Sequence, residues 1–265
     1  MEIPVDLQTN ASLLIFEVGN SHVSVATSVG ESIRTNERFG LQQMDHIIRY
    51  AGSAWDALPE DRLKAIAAAS VVPEVLPELR TRLTETFQSP LMEVGHELHR
   101  PMSLAVENPE RVGVDRICAA AAAYETIGRA CVVASFGTAV TIDCVNDEGT
   151  FMGGAILPGL GLQAKSLHEG TAALPLVKVE PTGQVYGATT EQAIRNGILH
   201  GMTGALREIT ERYATQLHAW PQLVVTGGGA EMVAGECDFI DNVVPDLCIR
   251  GIALAYRKHF AAFDD

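Results

Sequence analysis

Apolar positions along this chain fall into two arrangements: short runs broken by glycine turns, and longer stretches with helical spacing. The run Leu13–Glu17 meets a second run, Val23–Thr27, across Gly19-Asn20-Ser21-His22, which predicts a β-hairpin within residues 12–28. Residues 41–52 place Met44, Ile47, Ile48 and Ala51 on one helical face. Lys64–Val72, small and β-branched, predicts a buried strand stopped by Pro73, with a polar helix running on to Phe87. Asn108-Pro109-Glu110 reads as a helix start, asparagine capping and proline in the first position. The alanine-rich stretch Cys118–Tyr124 continues as a strong helix former.

The arrangement repeats from about Arg129. Cys131–Ser135 and Val140–Val145 predict a second hairpin, Phe151–Leu157 a third strand, and Pro158 a helix start ahead of Leu160, Leu162, Ala164 and Leu167. In residues 190–216, Ile194, Ile198, Leu199, Met202, Leu206, Ile209 and Tyr213 recur on one side of a single long helix. Leu223–Val225 predicts a short buried strand and Leu247–Phe260 a closing helix. No low-complexity linker intervenes, so the expected division is two tightly packed lobes, residues 1–128 and 129–265.

The glycine turns carry the first chemical hint. A strand, a carboxylate or hydroxyl at its end, then glycine with a small polar residue lets backbone N–H groups approach an anion. Two such turns, at Gly19 and Gly137, with a third glycine cluster at Thr226-Gly227-Gly228-Gly229, point to two α/β lobes and a nucleotide. A single one would be an ordinary hairpin turn. Asn108–Arg116 is the most polar island ahead of a very apolar helix. A carboxylate beside an arginine there is either a base with its substrate clamp or an acid complementing the helix dipole.

Composition narrows the classes. The chain has 265 residues, 47% of them apolar, and a formal net charge of −14, which argues against nucleic acid as the main partner. A small anion such as ATP remains compatible, since backbone amides hold it locally. No apolar run is long enough to span a membrane, and Met1–Asp6 lacks a basic segment and an apolar core, so the expected location is cytoplasmic. Cys118, Cys131, Cys144, Cys237 and Cys248 have no CxxC spacing and read as buried thiols. The histidines have no metal-ligand spacing. Lys165 and His168 read as a solvated helix face, Tyr124 and Trp220 as packing residues.

At this point the chain resembles a known family. Glu17-Val18-Gly19-Asn20-Ser21, Ala69-Ser70-Val71-Val72-Pro73, Asn108-Pro109 with Gly113-Val114-Asp115-Arg116, and Phe136-Gly137-Thr138-Ala139 with Thr141-Ile142-Asp143 look like successive motifs of the type III pantothenate kinases. So do Gly153–Gly159, Gly170–Pro175, Thr190-Glu191 and Thr226-Gly227-Gly228, in the family's order over roughly residues 12–255. The resemblance implies the acetate kinase/Hsp70/actin-like superfamily, a two-lobed actin-like (RNase H-like) α/β fold with a mixed sheet flanked by helices in each lobe, and a homodimer. It also implies ATP-dependent phosphorylation of pantothenate, the first step towards coenzyme A, with Mg²⁺ and a monovalent cation, K⁺ or NH₄⁺.

Carried over position by position, the resemblance makes Glu17, Val18, Gly19, Asn20, Ser21, His22, Val23 and Ser24 the first phosphate loop. Gly113, Val114, Asp115 and Arg116 would line the pantothenate site, with Asp115 as general base towards the hydroxyl and Arg116 towards the carboxylate. Thr190 would contact pantothenate, Gly137 and Thr138 would meet ATP, and Gly227 and Gly228 would approach the adenosine. Ser135 would stand at the family's cation position. The chain departs from the pattern where Glu17 and Ser135 replace aspartates; Val114 for alanine is a milder change. Asp143 is either a strand residue hydrogen-bonded to the neighbouring turn or a candidate for part of the charge missing at Ser135. The two altered acids motivate an alternative, a catalytically impaired member that binds nucleotide or pantothenate or serves regulation. A different small-substrate kinase or phosphatase on the same fold is disfavoured by the Gly113–Arg116 match.

Overall fold

The computed structural model describes residues 8–262; the segment Met1–Asp6 lies outside them. Two five-stranded sheets, each with its own helices, form two compact units.

In the first unit the strands run β3-β2-β1-β4-β5, from β1 (Ser12–Val18), β2 (His22–Val29), β3 (Ser32–Gly40), β4 (Lys64–Ser70) and β5 (Leu91–Glu93). β1 pairs antiparallel with β2 and parallel with β4, so the sheet is mixed, and the parallel crossovers are made by α1 (Met44–Asp56) and α2 (Leu76–Phe87). β1 is apolar on both sides because both are covered. Leu14, Phe16 and Val18 pack with Ile47, Ala51, Leu79 and Leu83 of those helices. Leu13 and Ile15 face the opposite layer, with Ala65, Ala67 and Ala69 of β4 and Ile249, Ile252 and Ala253 of the last helix, α7 (Leu247–Ala261).

That packing corrects the division read from the sequence. Residues 246–262 belong with the first unit rather than with the half that begins at residue 129. The alanines of β4 leave room for α7, and Gly251 brings it against α3 (Val114–Ile127): a Cβ there would stand 1.9 Å from the Cys118 carbonyl oxygen. β3 and β5 also lie where no element was expected. Gly30, at φ +60°, closes the two-residue turn into β3, whose residues are mostly exposed and so lack an apolar signature. The helix expected at Pro109 is instead a single 3₁₀ turn, Pro109–Arg111. Asn108 makes no side-chain cap, Val112 is extended, and the α-helix starts only at Val114. Glu110 accepts a two-pronged bond from Arg100, at 3.0 and 2.6 Å, which ties the turn to the preceding loop.

In the second unit the order is β10-β9-β6-β7-β8, from β6 (Cys131–Phe136), β7 (Ala139–Val145), β8 (Phe151–Pro158), β9 (Gln222–Thr226) and β10 (Asn242–Val243). Val132, Ala134 and Phe136 face a core shared with α4 (Leu160–Glu169), α5 (Thr190–Leu217) and the short α6 (Ala230–Ala234). α5 is the single long helix expected, capped by Thr189 Oγ1, which accepts from the Gln192 amide. Pro158 ends β8, and α4 starts after it, at Leu160. Tyr124 packs over Gly149 and donates to the Asp147 carbonyl at 2.7 Å, as a packing residue should. Trp220 does not: it is 57% exposed in the link from α5 to β9. Lys165 is exposed as expected and pairs with Glu169 at 3.6 Å. Cys118, Cys131, Cys144 and Cys248 are buried and Cys237 half-buried, all as free thiols. Among the described residues no helix is long and apolar enough to cross a membrane.

Candidate active site

The first glycine turn joins β1 to β2. Val18 ends one strand, His22 begins the next, and the Gly19 amide donates to the His22 carbonyl at 2.9 Å. Asn20, Ser21 and His22 are exposed at the turn, while Val18, Val23 and Ser24 are buried behind it. Glu17 stands one residue inside, opposite Ser24 on β2 and Ala69 on β4. Ser24 in turn stands opposite Arg38 on β3. Directly opposed residues share a face of a sheet, so Glu17, Ser24 and Arg38 form one row across three strands.

The Glu17 carboxylate lies in a crowded field. Burial pushes its proton affinity above the ordinary glutamate range; the Arg38 guanidinium opposes this and the Asp115 carboxylate adds to it. The Ser24 hydroxyl and the Cys248 thiol donate hydrogen bonds to it. The hydrogen bond with the neighbouring Cys118 thiol, then burial and the Glu17 charge, push the Cys248 thiol well up, so it stays protonated as a donor.

Asp115 sits in the first turn of α3, partly buried, with the Arg116 amide donating to its Oδ1 at 2.9 Å. Burial raises its proton affinity; that amide bond and the Arg116 charge pull it back. Gly113 leaves space for this carboxylate, and its immediate neighbours are Asp115, Arg116 and Val71. The sequence motif Gly113–Arg116 is therefore one local structure, and Asp115 and Glu17 sense each other within the first unit.

In the second unit, Gly137 and Thr138 form the exposed turn between β6 and β7. The Thr138 carbonyl accepts from the Gly159 amide at 3.0 Å, and a Cβ on Gly159 would lie 2.3 Å from the Gly137 carbonyl oxygen. Gly227, at φ +91°, and Gly229 close on the end of the same strand, the Gly229 amide donating to the Phe136 carbonyl at 3.1 Å. The turn Gly137–Thr138 and the turn Gly227–Gly229, Gly228 at its centre, are thus brought to one end of one sheet. Thr190 opens α5, exposed.

Ser135 is flanked in register by Thr141 and Thr226, a rung of three hydroxyls with no carboxylate. Asp143 lies on the same face, one rung along, opposite Val133 and Gly154, and is buried. A Cβ on Gly154 would stand 2.4 Å from its carboxylate, so glycine makes room for the acid. Among the described residues no three His, Cys, Asp or Glu side chains are grouped to hold a metal.

Sequence reasoning did not find Arg38 or Cys248 beside Glu17. The one local signal for Arg38 was Gly30 after an apolar run, which marks the turn into β3. Nothing local marks Cys248.

Comparison with known proteins agrees with this architecture. The family model for type III pantothenate kinase matches residues 13–212. A type III pantothenate kinase of Dehalococcoides mccartyi is 30% identical over 255 residues, covering 94% of this chain and 98% of that protein. Among solved structures, a conserved Baf family protein of Campylobacter jejuni matches with a TM-score of 0.62 at 18% identity, over 95% of this chain and 98% of that one. MreB5 of Spiroplasma citri, bound to ADP, matches with a TM-score of 0.53 at 9% identity, over 97% and 99%. At these identities the two structures bear on fold alone, and the fold is actin-like.

Proposed function

The chain belongs to the type III pantothenate kinase family, and from that premise we propose that it transfers the γ-phosphoryl group of ATP to the hydroxyl of pantothenate, the first step of coenzyme A biosynthesis. The observation that carries the mechanism is the Gly113–Arg116 turn, which puts a partly buried carboxylate of raised proton affinity beside an arginine at a helix start. A stronger base than free aspartate suits proton removal from an alcohol near neutral pH. The hydroxyl oxygen attacks the γ-phosphorus, its proton passes to Asp115, and the bond to the bridging oxygen breaks as ADP leaves with the electron pair. Phosphoryl transfer asks mainly for positioning and charge stabilisation. In this reading Arg116 and Thr190 orient pantothenate, the turns at Gly19 and at Gly137–Thr138 take the phosphates, and Gly227–Gly228 takes the adenosine. Mg²⁺ would come in bound to the ATP phosphates and would offset their charge during transfer.

The monovalent cation is a different matter. Hydroxyls alone are weak partners for a hard cation, and the Ser135 rung holds no carboxylate, so it does not fit a charged cation site. We propose that cation dependence is weakened in this chain, and that the enzyme works in the cytoplasm as a homodimer. Supporting the dimer, Leu176, Val185 and Tyr186 are 61%, 78% and 86% exposed on the segment leading into α5. Gly197, Gly201 and Gly204 on that helix face open space.

The test is phosphopantothenate formation by the purified chain from ATP and pantothenate, with and without K⁺ or NH₄⁺, alongside light scattering for the dimer. The Ser135 rung also favours a second reading, an impaired member that binds both ligands without turnover. Calorimetric binding of ATP and pantothenate with no product would select that reading and overturn the first.

A further inference from the structure

Glu17 stands where a glutamate is hard to keep ionised. It is partly buried, its carboxylate lies in the field of Asp115, and the covering helix α7 contributes a thiol rather than a cation. The groups acting on it come from every element packed around it. Ser24 comes from β2, Arg38 from β3, Asp115 from α3 and Cys248 from α7, while β4 presents only Ala69. Of these only Arg38 brings a positive charge. It lies in the same cross-strand row as Glu17, on the sheet's edge strand, two residues before the end that faces the Gly19 turn.

We propose that Arg38 is a positioning residue of the first phosphate turn, holding the Glu17 carboxylate charged and aimed while Ser24 and Cys248 fix its two oxygens. A charged Glu17 accepts both hydrogen bonds and keeps the Ser24 hydroxyl and Cys248 thiol pointing inward. Glu17 is thereby satisfied by side chains, while within the turn the Gly19 amide donates to the His22 carbonyl. A protonated Glu17 would carry an O–H donor of its own and lose accepting capacity at that oxygen, weakening its hold on the Ser24 hydroxyl and the Cys248 thiol. α7 is held over this row at its first residues, because Asp246 accepts a hydrogen bond from Asn36 of β3.

The kinetic half of the test rests on the kinase reading above; the spectroscopic half does not. Arg38 is exposed, so Arg38→Gln and Arg38→Lys should both fold, with thermal melts as the control. In the first assay, kcat and the KM values for ATP and pantothenate are measured across pH. Arg38→Gln should move the acidic limb of kcat upward by about one pH unit, which lowers turnover by up to roughly tenfold at pH values on that limb. The pantothenate KM should stay within about twofold, and Arg38→Lys should restore most of the loss. In the second, the Glu17 carboxyl carbon is titrated by ¹³C NMR in the nucleotide-free protein, where Arg38→Gln should raise the midpoint and Arg38→Lys return it. An unmoved Glu17 midpoint in Arg38→Gln overturns the proposal. A moved midpoint supports it even if the wild-type chain forms no phosphopantothenate, a result that would sink the kinase reading instead.

Discussion

A Cβ placed on Gly113 would stand 2.6 Å from Oδ1 of Asp115. The glycine is therefore a spatial allowance for one carboxylate, and no left-handed backbone conformation explains it. The colliding atom ends a side chain that can rotate away, so the fold should survive Gly113→Ala while the acid swings out of place. We expect a stability change under about 1 kcal/mol and a fall in kcat of roughly 10²-fold, the usual scale for a misplaced catalytic group. Denaturant melts and steady-state rates check both halves.

The raised proton affinity of Asp115 contributes to the acidic limb of the rate profile beside that of Glu17. A base must be deprotonated to act, so kcat/KM should fall as pH drops through a midpoint above the ordinary aspartate value of 3.8. Asp115→Asn should remove the Asp115 step from that limb together with at least about 10²-fold of the rate, while pantothenate still binds by calorimetry. Wild-type rates in that variant would take Asp115 out of the mechanism.

Glu17 should trade stability for function. Its proton affinity is raised in the folded state, so its contribution to stability is complete below the unfolded value, near 4.5, and is lost as pH rises through the folded value. Glu17→Gln cannot ionise. It should be more stable than wild type at neutral pH, by on the order of 1 kcal/mol or a few degrees in Tm, with the gain vanishing toward pH 4.5. Turnover should fall in the same variant. A melt series against pH, with rates alongside, decides it.

Ser135→Asp should bring carboxylate charge to the hydroxyl rung and create or tighten K⁺ activation, read as the half-activating K⁺ concentration. Glu17→Asp should raise turnover alongside it. Strong K⁺ activation in wild type with no gain in the double variant would show that other ligands, Asp143 first among them, already serve the cation.

Much of this protein was legible locally. The hairpins at Gly19 and Gly137 follow from apolar runs broken by glycine turns, and the long helix 190–217 from its 3.6-residue period, which one-sided burial writes into neighbouring residues. Gly113-Val114-Asp115-Arg116 was legible through its resemblance to a family motif, and its closest contacts, Gly113 and the Arg116 amide against the Asp115 carboxylate, lie within the motif. β3 stayed hidden because an edge strand with exposed faces carries no apolar period, and β5 and β10 are too short to carry one. The placement of α7 on the first sheet, and with it Cys248 beside Glu17, was decided by tertiary structure alone. A helix's apolar stripe says that it must be covered, yet which sheet covers it depends on where small residues leave room. Here that room is made by Ala65, Ala67, Ala69 and Gly251, residues whose common purpose appears only once the chain has folded back on its own beginning.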